Sequence, residues 1–117
     1  MSGAGASLQS LSSSDLFQVE FEVFGKVQRV FFRKYTKLKA DELSLTGWCV
    51  NTPEGTVKGV VCGSMEALRS FKQWASKEGS PQSQIQKAVF SPEERIFASR
   101  WSYFAVDKSY GHAPKKR

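Results

Sequence analysis

The sequence predicts an α/β (α+β) sandwich, an antiparallel sheet covered on one face by two helices, on three observations. Stretches of period two and stretches of period 3.6 alternate along the chain. Their order is strand, helix, strand, strand, helix, strand, with one further short strand at the end. The two middle strands flank a single short turn, so the chain divides into two similar split units, the ferredoxin-like β-α-β-β-α-β arrangement. With 117 residues, 40% of them hydrophobic and nine of them Phe, it can bury a core without disulfide staples.

Each element has its own signal. "FQVEFEV" puts Phe17, Val19, Phe21 and Val23 on one face and Gln18, Glu20 and Glu22 on the other, as a half-buried strand requires. From about residue 32 to 43, Phe32, Tyr35, Thr36, Ala40 and Leu43 recur at helical spacing. "SLTGWCVNT" and "GTVKGVVCG" form a hairpin around Thr52, Pro53, Glu54 and Gly55. Ser64 is the N-cap of a second helix with Met65, Leu68, Phe71 and Ala75 on its inner face, and Gly79 and Pro81 stop it. "QIQKAVF" and "SYFAVD" read as two short strands. Residues 1–15, rich in Ser, Gly and Ala, read as a disordered leader, residues 16–108 as one domain, and residues 109–117 as a basic flexible tail.

Charge and composition close off several chemistries. The formal net charge is +6, and Lys108, Lys115, Lys116 and Arg117 crowd the end without an acid, so the body is only mildly basic. That balance suits an anionic small molecule as well as nucleic acid. An RNA-recognition module shares this order of elements, but it stacks bases on third-strand aromatics where this chain has "KGVVCG", so no nucleic acid is expected. The sole histidine, His112, falls in the tail, which leaves the body without a Ser-His or Cys-His pair. Cys49 and Cys62 lie out of register for a disulfide and read as buried thiols of a cytoplasmic protein. No His, Cys or carboxylate cluster has metal-ligand spacing, and no apolar run is long enough for a membrane.

What remains is the stretch "GKVQRVFFRK" between the first strand and the first helix. The first-turn N–H groups of a helix lack intrahelical partners, so a glycine-started loop running into a helix makes an anion cradle or simply turns the chain. Arg33, just inside the helix, can fold its planar guanidinium across the loop and grip two oxygens of one phosphate. Gln28 either orients the loop or faces solvent. Asn51, before Thr52 and Pro53, is by its own pattern a turn-former.

"VFGKVQRVFFRKYT" resembles the signature of the acylphosphatase family, Gly-x-Val-Gln-Gly-Val-x-Phe-Arg. "GWCVNTPEGTVKGVVCG" is similar to the family's second block, and "FKQWASKEGSP" to the segment closing its second helix; the likeness runs over about residues 16–108. The resemblance implies the same sandwich and a cofactor-free, monomeric hydrolase that cleaves the carboxyl-phosphate bond of a small acyl phosphate. Inorganic phosphate would be its product and competitive inhibitor. It implies that Gly25, Lys26, Val27, Gln28, Arg29 and Val30 form the phosphate-binding loop, that Arg33 grips the phosphate, and that Asn51 positions the attacking water.

Arg29 departs from the pattern, standing where the signature has glycine. A converging cradle usually bends through a residue at positive φ, which glycine adopts freely. The arginine side chain then leaves the loop outward or lies over the mouth of the site, and the outward course is expected. The alternative function is a phosphate or acyl-phosphate binder whose turnover Arg29 has weakened or abolished.

Overall fold

A computed structural model describes residues 15–107 of the chain. Most of the expected leader and the whole basic tail, with His112, lie outside the described residues. Asp15, the last leader residue, is described and accepts an ion-paired hydrogen bond from Arg95 at 3.0 Å.

The strands are β1 (Leu16–Lys26), β2 (Thr46–Asn51), β3 (Val57–Gly63), β4 (Gln84–Phe90), β5 (Glu94–Ile96) and β6 (Phe104–Asp107). The helices are α1 (Phe32–Glu42) and α2 (Met65–Lys77). The sheet runs β4-β1-β3-β2-β6, with β5 pairing the start of β1. This is the ferredoxin-like sandwich with two departures from the expected sheet. The last strand lies parallel to β2, so the sheet is mixed, and β5 has no counterpart among the expected elements. The reason is topological: β4 and β6 occupy opposite edges, so the chain between them must cross the open face. Trp101, on that crossing, packs there against Val60 and Cys62.

The alternation of β1 is realised residue by residue. Phe17, Val19, Phe21 and Val23 are buried toward the helices, and Val19 and Val23 stand opposite Val61 and Val57 of β3. Helix α1 buries Phe32, Thr36 and Ala40, with the Thr36 hydroxyl donating back to the Phe32 carbonyl at 2.7 Å. In α2 the Ser64 Oγ accepts the Ala67 N–H at 3.1 Å, the expected cap. Its buried face holds Leu68, Phe71 and Ala75 and also Trp74, which the spacing argument passed over. The rings of Phe21 and Phe71 meet edge-on at 5.1 Å, and Phe32 packs on Trp74 at 5.4 Å. Full burial of each such side chain contributes about 1.5–3 kcal/mol. These contacts fix the start of α1 against the sheet.

Cys49 and Cys62 are free and buried, in core clusters on opposite faces of the sheet. No helix among the described residues is long and apolar enough to cross a membrane.

Candidate active site

Strand β1 runs further than the sequence suggests. Gly25 and Lys26 belong to it, pairing with Ile85 and Gln84 of β4 just past a register shift. Gly25 sits at φ 127°, and a Cβ there would come within 2.1 Å of the Gln84 carbonyl oxygen. Its glycine therefore serves a close approach of two strands, and the loop proper begins at Val27.

Two buried valines peg the loop to the core, Val27 and Val30. Between them Arg29 adopts φ 64°, the left-handed conformation expected where the signature has glycine. A second left-handed residue follows at Phe31, φ 59°, which nothing in the sequence pattern pointed to. Gln28 faces inward: its Nε2 donates to the carbonyls of Thr52 and Thr56, both at 2.9 Å. The side chain is thus bonded to the turn rather than given over to solvent.

The hairpin turn receiving Gln28 is itself cross-braced. Thr52 N–H donates to Thr56 O at 2.8 Å, and the two buried hydroxyls meet at 2.6 Å. Thr56 Oγ1 also donates to the Glu22 carboxylate of β1 at 2.6 Å. Loop, turn and first strand thus form one hydrogen-bonded unit, and Asn51 is the residue that enters the turn.

Asn51 closes β2 opposite Val57 on the helix-facing side of the sheet. It is 7% exposed, and its Oδ1 is buried without a hydrogen-bond partner in the protein. A buried amide oxygen left so costs about 1–3 kcal/mol.

Across from Asn51 lies the start of α1. The N–H groups of Phe32, Arg33 and Lys34 precede the helical ladder, which opens with Tyr35 N–H donating to Phe31 O at 3.0 Å. Phe31, the N-cap residue, supplies no side-chain cap. No acidic side chain in the first turn offsets the positive end of the helix dipole. Arg33, the second residue of α1, is half-buried.

Arg33, Asn51 and Arg29 line one cavity of about 560 Å³. Arg29 is exposed and is among the residues that border it. Phe31, Lys34 and Val106 of β6 line it as well, and sequence reasoning missed all three. Phe31 and Phe32 are twins in the apolar run "VFFRK", and only the backbone separates the buried ring from the exposed one.

Burial pushes the Cys49 thiol up to about 12, with the positive charge of Arg33 opposing the rise. The thiol therefore stays protonated at neutral pH and is no nucleophile. Among the described residues no group of three His, Cys, Asp or Glu side chains could hold a metal ion.

The family model for acylphosphatase matches residues 19–105. Acylphosphatase-1 of Xenopus tropicalis is 45% identical over 98 residues, covering 84% of this chain and 100% of that protein. Acylphosphatase-2 of Rattus norvegicus is 47% identical over 91 residues, covering 78% and 94%. Among solved structures, an acylphosphatase from Coxiella burnetii has a TM-score of 0.72 at 33% identity, covering 83% of this chain and 100% of that one.

Proposed function

The chain belongs to the acylphosphatase family and is an enzyme that hydrolyses acyl phosphates, and we propose that it does so by in-line attack of a water held by Asn51 on a phosphate held by the loop and Arg33. The observation that carries this mechanism is that Asn51 lines one cavity with Arg33 and the first residues of α1. The Asn51 amide, donor and acceptor both, can hydrogen-bond one water molecule there and leave an oxygen lone pair aimed at phosphorus.

The reaction asks little else of the protein. An acyl phosphate is a mixed anhydride whose leaving group is a carboxylate with an ordinary pKa of about 4. As the water oxygen bonds to phosphorus, the phosphorus–oxygen bond to the acyl group breaks and the carboxylate departs with the electron pair, unprotonated. The water's proton passes to a phosphate oxygen, so no general acid or base is needed from the chain. Charge on the equatorial oxygens is met by the helix N–H groups, the loop and the Arg33 guanidinium. The same reading makes the protein a cofactor-independent monomer of the cytoplasm that inorganic phosphate, its product, inhibits competitively.

Hydrolysis of acetyl phosphate in ¹⁸O-enriched water tests the mechanism. Attack at phosphorus places the label in inorganic phosphate. Label in the acetate instead would overturn it, since the water would then have attacked the acyl carbon.

A further inference from the structure

We propose that Phe31 is the platform for the substrate's acyl group, and that it makes the enzyme selective for acyl phosphates with a flat, apolar acyl group over small aliphatic ones. This rests on the phosphate site described above and concerns the other half of the substrate.

Phe31 is anomalous in three ways at once. The residue is 68% exposed, while its neighbour Phe32 is buried. Its backbone is left-handed at φ 59° and ψ 25°, a conformation that disfavours bulky L-residues. It also holds the N-cap position of α1, where Ser, Thr, Asp or Asn would satisfy a helix N–H, and it makes no side-chain cap. Core packing explains none of these, because the ring is outside the core.

The left-handed turn delivers the ring to the cavity that holds Arg33 and Asn51. That cavity, at about 560 Å³, has room for far more than one phosphate ion. Beside its cations it has an apolar side formed by Val27, Phe31 and Val106. A phosphate held by N–H groups and a guanidinium gains nothing from such a wall, whereas the acyl carbon chain attached to it does. Lys34 Nζ stands 5.9 Å from the centroid of the Phe31 ring, a cation–π contact that holds the ring in place. An aromatic acyl group can stack on that ring, while a two-carbon group covers little of it.

The test is calorimetric binding of benzoylphosphonate and acetylphosphonate, whose carbon–phosphorus bond is not hydrolysed, to the parent, Phe31→Asn and Phe31→Tyr. Asn tolerates the left-handed backbone, so that variant removes the ring with least disturbance. The parent should bind benzoylphosphonate about tenfold more tightly than acetylphosphonate. Phe31→Asn should bring the ratio to about one, and Phe31→Tyr should retain it. A parent ratio near one, or a tenfold ratio that persists in Phe31→Asn, overturns the platform. The parent ratio needs no variant to fold. Neither measurement requires turnover, so a parent that shows the expected ratio yet hydrolyses no acyl phosphate sinks the hydrolase mechanism and not the platform. Binding of neither phosphonate would overturn the platform together with the phosphate site.

Discussion

The side-chain amide of Gln28 donates to the carbonyl of Thr52 at 2.9 Å, tying the loop before α1 to the turn that Asn51 enters. A second bond from the same nitrogen, to Thr56, uses its other proton. Beyond the core packing beneath them, the loop before the helix and the turn at the end of β2 are therefore tied by one side chain.

Gln28→Ala removes both bonds, while each carbonyl keeps its backbone donor, Gly55 N–H for Thr52 and Thr52 N–H for Thr56. Stability should fall by about 1–2 kcal/mol, a loss of several degrees in Tm by calorimetry. Turnover should fall about tenfold or more, because misplacing water and phosphate relative to each other is costly. A variant with parent-like Tm and rate would show that the tie is idle.

Asn51→Ala separates binding from chemistry. Inorganic phosphate should still inhibit competitively, since the helix N-terminus and Arg33 are intact, while kcat falls about a hundredfold or more. The Oδ1 has no partner in the protein, so its removal should cost little stability. If the affinity for phosphate falls as far as the rate, Asn51 is a direct ligand and the water role is wrong.

Arg29→Gly relieves a left-handed L-residue at φ 64°. Relief of that strain, less the added freedom of the unfolded chain, should raise stability by up to about 1 kcal/mol in urea unfolding. Turnover efficiency should rise with it. A several-fold loss of phosphate affinity in the same variant would instead make Arg29, which borders the cavity, a working ligand.

These residues mark what a single sequence can disclose. Period-two and period-3.6 spacing gave the elements except β5, and the core faces of β1 and both helices except Trp74, because burial imposes those periods directly. The parallel pairing of β6 was hidden, since a four-residue strand after a long crossing carries no sign of direction. At the site, the need for positive φ at Arg29 was legible because a glycine was missing from a pattern that asks for one. Phe31 was not, because hydrophobicity cannot say which of two adjacent phenylalanines the backbone turns outward. The role of Gln28 depended on a partner 24 residues away, a distance local patterns do not span.

Cys49 predicts a pH dependence. Its folded-state pKa, raised from 9.0 to about 12 by burial, lies above that of the unfolded chain. Between these values the folded state keeps a proton that the unfolded state releases, so stability falls as pH rises from about 9 toward 12. Cys49→Ala should flatten this alkaline decline, measured as unfolding free energy across that range. An unchanged slope would mean that other groups cause it.

The most direct test of the site is the steady-state hydrolysis of acetyl phosphate by the parent and by Arg33→Gln, with folding checked by circular dichroism. The grip on the equatorial oxygens is assigned to the Arg33 guanidinium, and a lost charge-assisted contact of that kind is worth about 3 kcal/mol. The account predicts an active parent inhibited competitively by phosphate, and a folded Arg33→Gln protein at least about a hundredfold less efficient, with phosphate inhibition lost. A folded Arg33→Gln protein that turns over acetyl phosphate at close to the parent rate would contradict it.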